Sequence, residues 1–388
     1  MTRVDPKKII ATDTIVIGGG ITGVSTAYFL AKRGQRDVIL VERDLLAQAS
    51  TGLCVGGVRQ QFSHPANILL SQETIELLHH FDEEFTTKID FCQAGYLFLT
   101  QQKSTWETFH TCVEIQRQYG VPVEILAPEE IRHRWPYLEV GNLMGGVFGP
   151  KDGYVDPYDV TMAIANKTRR LGIPILEKTE VMDIRLENER IRGIDTTQGF
   201  ISAQNIVNAA GAWGGKLAKM AGFDLPVQPF RRQVFITKAF DTIPRPVPMI
   251  IDQDTQFYIR GYAPGILMGM TDLEEPPSFH THVDRNSMEK VAAAALERIP
   301  VLEQAEILRG WGGLYAMTPD ENPIIGEIPG IKGFYCATGF SGHGFQHGPA
   351  VGRILSELIL DGKTEFNLSP FAFDRFKGCK KTTELITV

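Results

Sequence analysis

Three glycines and one carboxylate carry the first chemical signal in this chain. Gly18, Gly20 and Gly23 fall in the spacing G-x-G-x-x-G within DTIVIGGGITGVSTAYFLAKRGQRDVILVE, and Glu42 closes the stretch. In that spacing the first glycine lets the chain turn sharply off a strand. The second lets backbone N–H groups approach a pyrophosphate, and the third lets helix and strand pack closely. A helix starting just beyond them offers its positive end to the phosphates. A carboxylate at the end of the following strand accepts hydrogen bonds from both ribose hydroxyls and repels a 2′-phosphate, so the pattern favours FAD or NAD over NADP. The glycines alone are also compatible with an ordinary strand-to-helix connection, and flavin and nicotinamide both stay open at this point.

Positioning these residues requires a β-α-β unit. Thr14–Ile17 is a short β-rich apolar run, Val24–Lys32 reads as a helix, and Asp37–Val41 repeats the strand pattern up to Glu42. Ala49–Gly52 and Gly56–Gly57 suit a loop whose backbone passes close to a ligand. Within it Ser50 and Thr51 can donate hydroxyls to a phosphate, or Ser50 can cap a helix. Arg59 and His64 follow beside the glycine-rich turn. Later, Asn205–Asn208 reads as a strand running into Ala209-Ala210-Gly211, small residues that let backbone approach a nucleotide across the sheet. Val227–Thr237, Pro248–Ile259 and Gly265–Met270 alternate as antiparallel strands. The closing third has a strand at Gly333–Ala337, a Gly-His-Gly loop at Gly339–Gly348 and a helix from Pro349 to Leu360. Such a loop presents backbone donors and a positive dipole to something anionic.

The totals exclude several classes. The chain has 388 residues and a net charge of −7 without a basic cluster, which argues against nucleic acid and anionic membrane surfaces. No apolar run approaches the roughly eighteen residues needed to span a bilayer. The start, MTRVDPKKIIAT, lacks an apolar signal region, so a cytoplasmic location is expected. Cys54, Cys92, Cys112, Cys336 and Cys379 are scattered and form no C-x-x-C pair, so neither a disulfide framework nor a zinc or iron–sulfur site is expected.

With IVIGGGITG, STGLCVGG, NAAGAW, WGGLYAMTPDENPIIG and TGFSGHGFQ in this order, the sequence resembles the D-amino-acid oxidase superfamily of FAD enzymes. Its branch is that of sarcosine oxidase and its β-subunit forms, glycine oxidase and the β-type proline dehydrogenases. The resemblance covers nearly the whole chain and implies an α/β (α+β) fold. A glutathione-reductase-like Rossmann FAD-binding domain, discontinuous over 12–90, 145–222 and 325–375, is expected to interleave with a mainly antiparallel β-sheet substrate domain over 91–144 and 223–324. Carried over by motif, Gly18, Gly20 and Gly23 bind the FAD pyrophosphate and Glu42 the adenosine ribose. Ser50, Thr51 and Gly52 continue along the pyrophosphate and ribityl chain, and the backbone of Val181 in TEVMDI pairs with adenine. Ala210 and Gly211 lie near the adenosine, with Arg43, Gly57 and Trp213 in the same cofactor set. Gly342, His343, Gly344, Phe345 and Gln346 surround the flavin's pyrimidine edge, where negative charge gathers on reduction, an oxyanion-hole type of stabilisation.

The resemblance also implies the reaction. A hydride leaves the α-carbon of a small N-methyl, cyclic or simple amino acid for flavin N5, and the resulting imine hydrolyses. An apolar, partly dry pocket with a cation for the carboxylate suits this chemistry. Candidates are Tyr258 and Arg260, on one face of the strand FYIR by alternation, with Arg59, Tyr315 and His343. Tyr258 and Arg260 form a carboxylate clamp on this reading; the other reading is a core tyrosine beside a surface-paired arginine, with Arg309 a further alternative. The chain departs from the family at Gln346, where monomeric sarcosine oxidases carry lysine. Gly313 and Cys54 or Leu53 stand where relatives attach flavin covalently, which implies non-covalent FAD. No lysine lies in Gly265–Gly269, where the monomeric enzymes carry one implicated in oxygen activation, so the acceptor is oxygen or an electron-acceptor protein. The alternative to a free-standing oxidoreductase is the catalytic β-subunit of a hetero-oligomeric amine dehydrogenase, and a homo-oligomer is also open.

Overall fold

The computed structural model describes residues 10–377 and 384–385. Thr14–Ile17 and Val38–Val41 are buried along their whole length, as strands covered on both faces must be. They lie at the centre of a six-stranded sheet in the order Ile324–Glu327, Phe334–Thr338, Asn205–Asn208, Thr14–Ile17, Val38–Val41, Ile175–Leu176. All neighbours run parallel except the first pair. The central strands therefore end at one edge, where Gly18, Glu42 and Ala209 follow them directly.

Two helices pack against each other beside this sheet, Ile21–Lys32 and Gly344–Asp361. The second begins before the Pro349 start expected from the sequence, and Pro349 lies inside it. Its glycines read as loop in sequence, yet they serve helix contact: a Cβ on Gly352 would come within 2.6 Å of the Ser25 carbonyl carbon and 2.7 Å of the Thr26 nitrogen. Only glycine lets the two backbones approach that closely.

An eight-stranded sheet forms the other layer, in the order Ile307–Met317, Gln228–Thr237, Gly265–Met270, Phe257–Tyr262, Met249–Asp252, Tyr96–Thr100, Gly145–Gly149, Glu124–Leu126. Its pairs are antiparallel except Met249–Asp252 with Tyr96–Thr100. Gly145–Gly149, within the segment assigned from sequence to the cofactor domain, thus pairs in this sheet. Alternation sorts the strand side chains: Phe257 and Ile259 join the core beneath helix Arg285–Arg298, while Tyr258 and Tyr262 join the opposite core with Phe62 and Phe98. Under the first face a buried ion pair, Arg298 to Asp252 at 2.8 Å, ties helix to strand. The α/β class with a Rossmann-like parallel sheet and a largely antiparallel second sheet is the fold expected. No helix among the described residues is long and apolar enough to cross a membrane.

Candidate active site

One cavity of about 540 Å³ runs between residues of the two sheets. At one end lie Gly18, Gly20, Glu42, Arg43 and Val181, with Ala210, Gly211 and Trp213 beside them. Gly18 has φ +118° and a Cβ there would sit 2.4 Å from the Ala209 carbonyl oxygen, so the turn off the strand admits no side chain. Gly23 does not line the cavity; it packs against Gly18, whose carbonyl oxygen is 2.0 Å from where its Cβ would be, the helix–strand contact expected of the third glycine. Glu42 accepts from the Gly19 amide at 2.6 Å and the Asp44 amide at 2.8 Å. These amides hold its carboxylate on the cavity wall.

Helix Ile21–Lys32 opens on this cavity with no side-chain cap on Gly20 and no acid in its first turn. The Thr51 hydroxyl oxygen instead accepts from the Ile21 amide at 3.1 Å, and Ser50 donates to the Leu314 carbonyl at 2.7 Å. Both residues line the cavity, Ser50 tying the loop to the second sheet. Gly52 and Gly57 do not line it. Their missing side chains make room for the Ala47 carbonyl and the Tyr96 hydroxyl respectively.

The second helix N-terminus opens on the same cavity. Gly342, Gly344 and Phe345 line it, and helix Gly344–Asp361 likewise has no side-chain cap and no acid in its first turn. Gly342 has φ +97°, and a Cβ would lie 2.6 Å from the Tyr315 ring, so glycine is required where that ring lies flat against the loop. Two positive helix ends facing one elongated cavity form a cradle for an anion at each end. A dinucleotide fits this donor set: its pyrophosphate at Gly20–Thr22, its ribose at Glu42, and a ring edge that gains negative charge at Gly342–Phe345.

His343 and Gln346, expected at the flavin edge, point elsewhere. Neither lines the cavity. Gln346 accepts from the Arg59 amide at 2.8 Å, and the Arg59 guanidinium lies 3.2 Å from His343 Nε2. Guanidinium can only donate, so Nε2 is the acceptor and the His343 proton sits on Nδ1. Burial, then the Arg59 charge and His347, hold His343 well below the ordinary histidine value, which keeps it neutral. Arg59 itself is buried, its guanidinium 3.9 Å above the Phe62 ring. It backs the cavity loop without reaching the cavity.

Tyr258 and Tyr315 line the cavity and Arg260 does not. Arg260 shares the Tyr258 face but donates to the Val55 carbonyl at 2.7 Å and the Gly261 carbonyl at 2.7 Å, with its guanidinium 4.6 Å from the Tyr154 ring. Its donors are taken up by backbone, so the expected Tyr258–Arg260 clamp gives way. The arginine on the cavity wall is Arg232, which the sequence reading passed over. It is buried, lies 5.2 Å from the Tyr315 ring, donates through Nη1 to the Arg231 carbonyl at 2.9 Å, and its Nε has no hydrogen-bond partner among the described residues. The signal was present in FRRQVF. On a strand one of two adjacent arginines points each way, and Arg231 takes the outer role by pairing with Glu275 at 2.9 Å.

Burial pushes the tyrosines on this wall above their ordinary value and the Cys54 thiol up to about 11. Cys54 and Leu53 line the cavity opposite Gly313. Phe279 and Lys216, also unforeseen, line its other side, the Lys216 ammonium 3.9 Å from the Phe279 ring and Trp213 5.4 Å from it. The Arg43 guanidinium lies 3.9 Å from the Trp213 ring.

Comparison with known proteins agrees with this arrangement. The family model described as DAO, FAD dependent oxidoreductase, matches residues 13–358. Mitochondrial dimethylglycine dehydrogenase of Mus musculus is 31% identical over 377 residues, spanning 92% of this chain and 43% of that protein. The chain therefore spans less than half the length of that relative. FAD-dependent oxidoreductase domain-containing protein 1 of Bos taurus is 31% identical over 420 residues, with 96% of this chain and 86% of that protein covered. Among solved structures, L-proline dehydrogenase from P. horikoshii superposes with a TM-score of 0.89 at 36% identity, covering 95% of this chain and 99% of that one. Glycine oxidase from Bacillus cereus gives a TM-score of 0.80 at 28% identity, covering 93% and 98%.

Proposed function

Because this chain belongs to the DAO family of FAD-dependent oxidoreductases, we propose that it oxidises the C–N bond of a small amino acid, with Arg232 holding the substrate carboxylate. The observation that carries this reading is the buried Arg232 guanidinium on the cavity wall, its Nε unpartnered, next to the Tyr258 and Tyr315 side chains. A buried cation with a spare donor fits a carboxylate by charge-assisted hydrogen bonds. Relatives named for proline, glycine and dimethylglycine support the substrate class.

Bound FAD supplies the hydride acceptor. Arg232, aided by the Tyr258 hydroxyl, fixes one end of the substrate, and the apolar walls at Leu53, Val234 and Leu314 exclude water. In that surrounding the neutral amine is favoured over ammonium, so its lone pair is free to assist as the α-hydrogen leaves. The two helix N-termini hold the cofactor's anionic groups. Cys54 stays a thiol, with a pKa pushed up to about 11 by burial, which supports non-covalent FAD. The strand Gly265–Met270 carries no lysine, which favours transfer of electrons to a partner or small acceptor over oxygen. On this reading the cofactor domain comprises 12–90, 150–222 and 325–375, with Gly145–Gly149 moved to the substrate sheet. Anaerobic addition of sarcosine, glycine, dimethylglycine and the two proline enantiomers to the FAD-loaded protein tests the proposal. At least one should bleach the flavin, and oxidised flavin with every one of them overturns it.

A further inference from the structure

Near the C-terminus, Glu384 is buried at 3% exposure, far from the surface position expected of a lone acid. Its carboxylate accepts from the Ser63 amide at 2.5 Å, the His64 amide at 3.3 Å and the Asn67 side-chain amide at 3.0 Å. Those donors form the entry to helix Pro65–His79, a positive helix end. The neighbouring Leu385 amide donates to the Ser63 hydroxyl at 2.9 Å, so the segment is tied there by backbone too. Earlier in the chain, Arg375 is bonded to Asp320 at 2.7 Å and to the Asn322 carbonyl at 2.7 Å, and the Asn322 side chain in turn accepts from Asn67 at 2.9 Å. Two C-terminal contacts thus converge on Asn67.

Ser63 and His64 follow directly on Phe62, whose ring carries the Arg59 guanidinium. A buried guanidinium requires a compensating anion. Around Arg59 the charged and titratable groups are Glu384, Tyr96, Asp152 and Tyr315, with Glu384 exerting the strongest effect of the four, and His343 and His347 lie on the adjoining helix. Tyr96 and Tyr315 are neutral phenols. Asp152 is pushed up to about 7 by burial and is only partly ionised at neutral pH. Glu384 is therefore the group that supplies full negative charge beside Arg59.

We propose that Glu384 is a positioning residue: its carboxylate keeps the Arg59 guanidinium in place against His343, so the C-terminal segment completes the rear wall of the cofactor loop. The inference rests on the reading of Gly342–Phe345 as the flavin-edge loop. Arg59 fixes the His343 proton on Nδ1 and holds Gln346 through its own amide, and both residues flank that loop. With Glu384 made neutral, Arg59 is left as a poorly compensated buried charge. It then leaves Nε2, and His343 is free to exchange tautomers.

Two measurements on the full chain test this. Nitrogen NMR of imidazole-labelled protein reads the His343 tautomer without any substrate, assigned by comparison with His343→Gln. The wild type should show a neutral Nδ1–H ring across the neutral pH range, and Glu384→Gln a mixture of tautomers. The limiting rate of anaerobic flavin reduction should fall at least tenfold in Glu384→Gln, with half-saturation and FAD retention little changed, and Glu384→Asp should recover part of it. A His343 spectrum unchanged in Glu384→Gln overturns the inference. So does a reduction rate equal to wild type, or a loss only of thermal stability. If the wild type itself is not reduced by any amino acid, the oxidoreductase reading fails, while the tautomer measurement still decides this one.

Discussion

Arg232→Gln isolates the carboxylate contact. The side chain is buried at 8% exposure, so water does not replace a lost partner there. A carboxylate seated on the guanidinium gains two charge-assisted hydrogen bonds at about 1.5–3 kcal/mol each. Glutamine keeps much of the length and one neutral donor, so the net loss is about 3–4 kcal/mol, and half-saturation for flavin reduction should rise on the order of 100- to 1000-fold. Titrating amino acid under anaerobic conditions while following the flavin band gives that constant directly. FAD dissociation should stay within about threefold, because Arg232 stands away from Glu42 and the first helix end. Arg260→Gln is the internal control. Its donors serve the Val55 and Gly261 carbonyls, so it should lose about 1–3 kcal/mol of stability and leave half-saturation within about threefold. An Arg232 variant that shifts half-saturation less than about fivefold, or that loses FAD in equal measure, refutes the assignment.

Glu42→Ala should weaken FAD retention on the order of tenfold or more, read by flavin released on dialysis, since two ribose hydroxyls lose their acceptor. Wild-type retention in that variant removes Glu42 from the cofactor site. Gly352→Val should lower stability by about 1–3 kcal/mol and release flavin, because its side chain meets the Ser25–Thr26 backbone; unfolding midpoints and bound flavin check this together. Asp152 gives a pH signature. Burial raises its folded-state pKa to about 7, above the unfolded value, so the native state holds the extra proton. Stability from this group is present at low pH and declines as pH rises between about 4 and 7. Asp152→Asn should flatten that decline in denaturant midpoints measured across the window, and an unchanged slope contradicts the shift.

The parts of the site legible in sequence were those fixed by local backbone demands. Gly18 and Gly342 sit at positive φ with neighbouring atoms where a Cβ would be, so their identity and spacing carry the geometry directly. Glu42 follows from the length of a β-α-β unit. Side-chain direction was legible only up to a choice of phase. Tyr258 and Arg260 share a face as alternation requires, but which of them reaches the cavity depends on Val55 and Tyr154, residues distant in sequence. The same ambiguity hid Arg232 beside Arg231. His343 and Gln346 belong to the right loop and face its rear, a direction set by Arg59. Gly52 and Gly57 are small for packing reasons and lie off the cavity. The early start of helix Gly344–Asp361 was masked by glycines whose role is contact with another helix. Glu384 carried no local signal, because a lone acid gains meaning only from the amides it meets.

The central claim joins one cofactor cavity to one carboxylate-bearing amine, and a matched comparison tests it most directly. Anaerobic flavin reduction is followed with L-proline against pyrrolidine and with sarcosine against dimethylamine, each pair differing by the carboxylate. The account predicts that at least one of the two amino acids reduces the flavin, and that its amine lacking the carboxylate does so at least about 100-fold less efficiently, the loss expected of an empty Arg232. Equal reduction by the amine, or no reduction by either amino acid, would contradict it.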